Sequence, residues 1–196
     1  ARYARGLTPE SLRQQHQKIE EAQKRHPDIR VLKGSEVDIL PDGSLDYPEE
    51  VLATLDFVVA SVHSSFGLPR EEQTTRLVRA LRHRRVSILG HPTGRLLLAR
   101  EPYAVDLAEI LATAAREGVF VELNANPHRL DLDTEGCRLA RSLGARMAID
   151  PDAHDAAGLG DARFGVGVAR RAGLTAAHIL NTTPPGSLDA ALAQRR

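Results

Sequence analysis

The feature that most restricts this chain is a phrase that returns about every 30 residues: a short apolar run ending on a polar side chain. Residues 29–36 end on Glu36, 57–63 on His63 and 119–124 on Asn124. Residues 86–89 lead through Gly90 into His91, 146–150 lead to Asp152 and His154, and 178–181 end on Asn181. A strand, a loop, a helix and a return loop fill one such interval. The recurrence therefore predicts successive βα units, each carrying a polar residue at the C-terminal end of its strand. A βα barrel assembles its site at that end, from several different strands. The expectation is an α/β fold with Glu36, His63, His91, Asp152 and His154 ringing one pocket.

The segments between these phrases read as helices. Thr8 is an N-cap before Pro9, opening a helix that runs to about residue 25 and stops at His26-Pro27. Pro41-Asp-Gly-Ser44 is a turn, and a short helix is expected near 48–54. Further helices are expected at 69–83, 106–117 (stopped by Gly118), 133–143 (stopped by Gly144) and 161–172. The expected strands are the six apolar runs, the last at 178–181. The tail from Thr182 contains two prolines and is expected to fray or to pack as one turn. Ala1–Gly6 reads as the end of a helix with a glycine stop, so the chain is expected to be a fragment, 1–196 forming one domain.

Composition narrows the function classes. Lys+Arg and Asp+Glu are both 26, so bulk charge does not favour nucleic acid. Lys18, Lys24 and Lys33 are the only lysines. The arginine-rich balance suits bidentate phosphate contacts, and it is equally a mark of genome base composition. Cys137 is the single cysteine, which excludes an internal disulfide and any thiolate-rich metal site. No stretch approaches the roughly 20 apolar residues of a membrane span, and no signal peptide is expected. A cytoplasmic location, with no membrane partner, is expected.

A lone histidine is ordinarily a surface or hydrogen-bonded residue. Three of them in phase, joined by Glu36 and Asp152, argue for metal ligation instead. Imidazole with carboxylate and no thiolate suits Zn²⁺, Mn²⁺ or Fe²⁺. Asp152 and His154 are two residues apart, so in an extended segment they point the same way. His16, His26, His83, His128 and His178 are assigned structural roles, and Asp150 and Asp155 are read as solvated acids. Arg95 and Arg129 are candidates to clamp a substrate phosphate, with a loop salt bridge as the ordinary alternative. Asn124 and Asn126 are candidates to orient ligands or bond phosphate oxygens, against plain turn chemistry before Pro127.

At these residues the chain resembles a polymerase and histidinol phosphatase (PHP) domain. More narrowly, it resembles the C-terminal PHP domain of bacterial and archaeal family X DNA polymerases. The phrases that carry the resemblance are Gly6-Leu-Thr-Pro9, Gly34-Ser-Glu-Val-Asp-Ile-Leu-Pro-Asp-Gly-Ser-Leu-Asp46, Ser61-Val-His63, Leu89-Gly-His-Pro-Thr-Gly-Arg95, Glu122-Leu-Asn-Ala-Asn-Pro127 with Arg129-Leu-Asp131, Asp152-Ala-His154 and Ala169-Arg-Arg171. The resemblance implies a distorted seven-stranded βα barrel with two or three divalent ions at its mouth, Mn²⁺ or Zn²⁺. It implies that Glu36 bridges two ions, that His63 and His91 complete one site, and that Asp152 and His154 serve the flanking ions. Two departures stand out. The family's opening His-x-His strand and its Asp-His motif are absent, so the first βα unit is expected to be missing. Pro151 stands where the family usually has Thr or Ser, which removes a backbone donor and is expected to re-aim the Asp152 loop.

The implied activity is metal-dependent phosphodiester hydrolysis, as 3′→5′ exonuclease trimming, with abasic-site endonuclease and 3′-phosphatase activities as companions. The implied partners are DNA 3′ ends and a gap-filling polymerase domain of the same chain, in DNA repair. The implied chemistry is water, activated by one ion, attacking phosphorus while a second ion stabilises the leaving oxygen. Two alternatives stay open. One is a free-standing small-molecule phosphatase resembling histidinol phosphatase. The other is a non-catalytic PHP scaffold that only stabilises a polymerase, and the fragment alone is one in which activity could be absent.

Overall fold

A computed structural model describes residues 6–193. The expected helix end at Ala1–Gly6 falls almost entirely outside them. Five parallel strands form one sheet in sequential order: β1 (Gly34–Asp38), β2 (Phe57–Ser61), β3 (Ile88–Leu89), β4 (Phe120–Asn124) and β5 (Met147–Asp150). Helices α1 (Pro9–Arg25), α2 (Glu49–Leu52), α3 (Arg70–Leu81), α4 (Leu107–Glu117), α5 (Thr134–Ser142), α6 (Ala162–Arg171) and α7 (Pro185–Ala193) complete the fold. Sequential parallel neighbours each need a crossover, and α2 to α5 supply them.

Both faces of the sheet are covered, which is why the strands read as unbroken apolar runs rather than as alternating ones. On the outer face Ala60, Leu89, Val121, Leu123 and Met147 pack with Leu77 and Leu81 of α3, Ile110 and Leu111 of α4, and Cys137 and Ala140 of α5. On the inner face Val59, Ile88, Phe120 and Ala148 form an apolar floor, packed against Leu188 and Leu192 of α7. Leu12 of α1 joins Val37, Leu52 and Val58 at the β1 end. Each fully buried Leu, Ile or Phe contributes about 2 kcal/mol.

Local signals explain the helix limits. The Thr8 and Asp106 side chains accept from the backbone N–H groups of Ser11 and Glu109, capping α1 and α4. Gly118 and Gly144 take the left-handed conformation where α4 and α5 stop, as expected.

Three expectations fail for identifiable reasons. The run at 29–36 enters the sheet only at Gly34, because the Gln23 amide takes up the Ile29 carbonyl and the Val31 N–H at the end of α1. The predicted strand 178–181 is a pair of 3₁₀ turns with one parallel bridge, between Ile179 and Met147. The Asn181 side chain replaces the missing ladder: its amide accepts from Ile149 N at 2.8 Å and donates to Ile149 O at 2.9 Å. The described part of the tail, up to residue 193, does not fray. Pro185 starts a nine-residue helix whose leucines lie on the inner apolar floor. Among the described residues the sheet thus has five strands plus the Ile179 bridge, where six strands were expected in this chain.

Candidate metal centre

Alternation along β1 decides which side chains reach the site. Val37 is buried with the helices, so Glu36 and Asp38 point the other way, over the inner face. His63 lies two residues past the end of β2, and His91 two residues past β3. Their Nε2 atoms converge on one oxygen, Glu36 Oε1, at 3.3 Å from His63 and 3.0 Å from His91. The two rings meet edge to face with centroids 5.1 Å apart. Among the described residues these three form the one group of three His, Cys, Asp or Glu whose ligand atoms all lie within 4.8 Å of one another. Two imidazole nitrogens and a carboxylate oxygen, with no sulfur, fit a borderline divalent cation.

The surroundings fix this geometry. Asp38 Oδ1 is 2.6 Å from His63 Nδ1, which places the Nδ1 proton on the Asp38 side and leaves Nε2 facing Glu36. His91 is buried, and its backbone N–H donates to Glu122. His91 also has a positive φ of 22°, and Asp152 one of 50°. Non-glycine residues rarely adopt such angles, and where they do the surrounding contacts hold them in place. Burial alone would raise the Glu36 pKa, but hydrogen bonds from both imidazoles outweigh it and hold the carboxyl far below its usual range. Burial alone would lower the His63 pKa, but Asp38 and Glu36 raise it to about 9.

A second part of the site opens beside the first. A cavity of about 350 Å³ is lined by Glu36, Glu122, Asp150, Asp152 and His154, with Phe57 and Val59 as its apolar wall. Asp152 Oδ2 is 3.2 Å from the Asn124 amide nitrogen and 3.4 Å from Arg129 Nε. His154 is exposed, with Nδ1 2.9 Å from the Asp152 carbonyl. Asp152 and His154 therefore share the cavity with Glu36 but stand apart from the tight three-residue group. Despite Pro151, the Asp152 loop is held, because Asp152 N donates to Asp150 Oδ1 at 2.8 Å.

The remaining candidates divide. Asn124 Nδ2 donates to Asp152 Oδ2 and its Oδ1 accepts from Asn126 N in the turn. Arg129 has one terminal nitrogen buried without a partner. Arg95 instead braces the neighbouring loop, with Nε on the Arg129 carbonyl, one terminal nitrogen on Leu130 O and the other 3.3 Å from Asp133. His178 accepts from Thr175 N and His83 from Arg85 N, in agreement with structural roles.

Four acids escaped the sequence reading. Asp38 orients His63. Glu122 is 3% exposed, and burial together with the Asp150 charge pushes its pKa well above the usual carboxylate range. Asp150, read as solvated, is half-buried and lines the cavity. Asp131 is wholly buried behind the His91 turn. The period-2 rule places Asp38 beside Glu36, Glu122 beside Asn124 and Asp150 beside Asp152, and so could have found those three; nothing in the spacing flags Asp131.

The chain was also compared with known proteins. No family model matches the chain. It is 43% identical over 178 residues to a DNA polymerase/3′-5′ exonuclease PolX of Bacillus subtilis (strain 168), a match covering 91% of this chain and 31% of that protein. It is 32% identical over 164 residues to a probable phosphatase of Thermoanaerobacter sp. (strain X514), covering 79% of this chain and 64% of the relative. The chain thus spans about a third of the polymerase and just under two thirds of the phosphatase, and it is homologous to both. Its fold matches a histidinol phosphate phosphatase of Lactococcus lactis solved with zinc, L-histidinol and phosphate (TM-score 0.58, 20% identity, 84% of this chain and 75% of that one). No helix among the described residues is long and apolar enough to cross a membrane.

Proposed function

From this homology to a polymerase-associated exonuclease and to phosphatases, we propose that residues 1–196 form a divalent-metal-dependent phosphoesterase domain of the PHP type, belonging to a family X DNA polymerase. The observation that carries the reading is the convergence of His63 and His91 Nε2 on Glu36 Oε1, at the C-terminal ends of parallel strands. Glu36, His63 and His91 hold one cation, and Asp152 and His154 face a neighbouring one across the shared cavity. Two or three Mn²⁺ or Zn²⁺ ions are the proposed complement. When bound, such ions lower the pKa of water and withdraw charge from phosphoryl oxygens. The protein's own part is positional. Asp38 keeps the His63 proton on Nδ1. Asn124 and Arg129 steady Asp152.

The proposed substrate is a DNA 3′ end, shortened 3′→5′ beside a gap-filling polymerase domain in DNA repair, in a reducing cytoplasm. The test is a 3′-recessed oligonucleotide incubated with Mn²⁺-loaded protein, with and without chelator. Glu36→Gln removes a full charge at nearly constant shape and should lower strand shortening by orders of magnitude while leaving any polymerisation by the parent protein intact. Full nuclease activity and metal content in Glu36→Gln would show that Glu36 is a structural acid. The homology to phosphatases favours one rival reading, a small-molecule phosphatase. Release of phosphate from histidinol phosphate with no shortening of DNA would establish that rival. Metal uptake with turnover of neither substrate would leave a scaffold.

A further inference from the structure

The two histidines around Glu36 are built differently. His63 has Asp38 on its Nδ1. His91 Nδ1 is buried and has no partner among the described residues. A histidine that offers Nε2 to a cation must carry its proton on Nδ1, and metal-ligating histidines nearly always donate that proton to a carboxylate, a carbonyl or a water. A buried N–H without an acceptor would weaken the ligand instead of supporting it.

An acceptor of matching kind lies on the same turn. Asp131 is 0% exposed. Its Oδ2 accepts from the backbone N–H of Thr93 at 3.0 Å, two residues beyond His91. Its own carbonyl accepts from Asn124 N at 2.6 Å, which fixes it to the end of β4. The other oxygen, Oδ1, is buried and unpartnered, as His91 Nδ1 is. A cavity of about 250 Å³ lined by Thr93, Arg95 and Asp131 leaves room for a water at this carboxylate. Two orphan donors, His91 Nδ1 and the Thr93 hydroxyl, thus lie on one short turn, and Asp131 holds an orphan acceptor tied to that turn through Thr93 N.

We propose that Asp131 is the positioning acid of His91: in the cation-loaded site its Oδ1 takes the Nδ1 proton of His91, directly or through one ordered water. His63 and His91 then have equivalent support, Asp38 from β1 and Asp131 from the segment after β4. The inference rests on the metal site proposed above and deepens it. It also gives Asp131 a reason to be buried: Thr93 N alone uses only one of its two oxygens.

The test is zinc affinity of this chain, measured by competition with a chromophoric chelator. It is paired with ¹⁵N-edited NMR of the histidine rings in the zinc-loaded form. Asp131→Asn keeps an acceptor for Thr93 N and removes the charge. It should weaken zinc binding about 10- to 100-fold and move the His91 Nδ1–H resonance, while leaving that of His63 in place. Asp38→Asn should do the reverse. Affinity within twofold of wild type, or an unmoved His91 resonance, overturns the inference while the metal site stands. A wild-type chain that takes up no zinc overturns both. Should Asp131→Asn fail to fold, the wild-type spectrum decides: a downfield, exchange-protected His91 Nδ1–H supports the pairing, and a rapidly exchanging one refutes it.

Discussion

Arg76 offers the sharpest test of how the metal centre is held. It is 1% exposed in the middle of α3, and its hydrogen bonds go to neutral acceptors. Nε donates to Leu40 O at 2.9 Å, one terminal nitrogen to Ser64 O at 2.9 Å and Gln73 Oε1 at 3.3 Å, and the other to Ile39 O. Ile39 and Leu40 follow Asp38, and Ser64 follows His63, so one guanidinium ties together the two strand ends that present Glu36, Asp38 and His63. Arg76→Met keeps much of the aliphatic volume and removes every donor. The Leu40 carbonyl retains a bond from Gly43 N at 2.8 Å. The Ile39 carbonyl and the Gln73 amide oxygen lose theirs, and each buried acceptor left without a donor costs about 1–3 kcal/mol. Relief from burying a cation offsets part of that loss. The expected net destabilisation is about 3 kcal/mol, read from urea denaturation of the chelator-treated chain. Because the two strand ends lose their tie, zinc affinity should also fall about tenfold. An Arg76→Met variant within about 0.5 kcal/mol of wild type, with unchanged zinc affinity, would show that the strand ends hold their own positions.

The other expected outcomes concern the same region. Asp38→Asn leaves His63 without a charged acceptor and should weaken zinc binding about 10- to 100-fold; equal chelator competition by wild type and variant would count against an orienting role. The His63 pKa is raised in the folded chain to about 9, against burial, by Asp38 and Glu36. Its stabilising contribution is therefore fully present below about pH 6.5 and is lost as pH rises through 9, so the chelator-treated chain should melt at lower temperature across that window. Zinc affinity should rise over the same window as the proton leaves, and a flat pair of profiles would contradict both. Gly90→Ala would place a methyl 2.2 Å from Ser61 Oγ and 2.9 Å from Val59 Cγ1, both on the neighbouring strand. The cost should be about 1–3 kcal/mol in thermal or urea melts, and a wild-type melting curve would show that β2 and β3 can separate freely beneath His91.

Much of the fold was legible because its signals are local. Helix caps such as Thr8 and Asp106, stops such as Gly118 and Gly144, and apolar runs closed on both faces all act within one turn or one strand. What failed was decided at a distance. Residues 29–33 have an apolar enough pattern for a strand, yet Gln23 from α1 captures their backbone first. Residues 178–181 look like a strand by composition, but the Asn181 amide pairs with Ile149 in place of a ladder and the chain turns. The two prolines near 184 argue against regular structure only if their position relative to a helix start is ignored. At the first turn proline is favourable, and Leu188 and Leu192 then find the inner floor.

The site divides along the same line. Glu36, His63 and His91 were legible as candidate ligands because each lies late in its strand or just past it, and those positions in a sequential parallel sheet are brought to one rim by topology alone. Their supporting acids obey no such rule. Asp38 reaches His63 from the adjacent strand, and Glu122 reaches the His91 backbone from β4. Asp131 reaches the turn at Thr93 from the segment after β4. Each contact joins residues 25 to 38 positions apart, so period-2 spacing can put an acid on the right face but does not say which histidine turn it reaches. A ligand is chosen by where its strand ends. The acid behind it is chosen by which neighbouring segment passes within hydrogen-bond reach, and only the folded chain settles that. Residues of the second kind are consequently the ones whose substitution distinguishes a working metal centre from a merely well-packed sheet rim. Asp38→Asn and Asp131→Asn leave every proposed ligand in place and change only how firmly, and with which nitrogen, the two histidines face the cation.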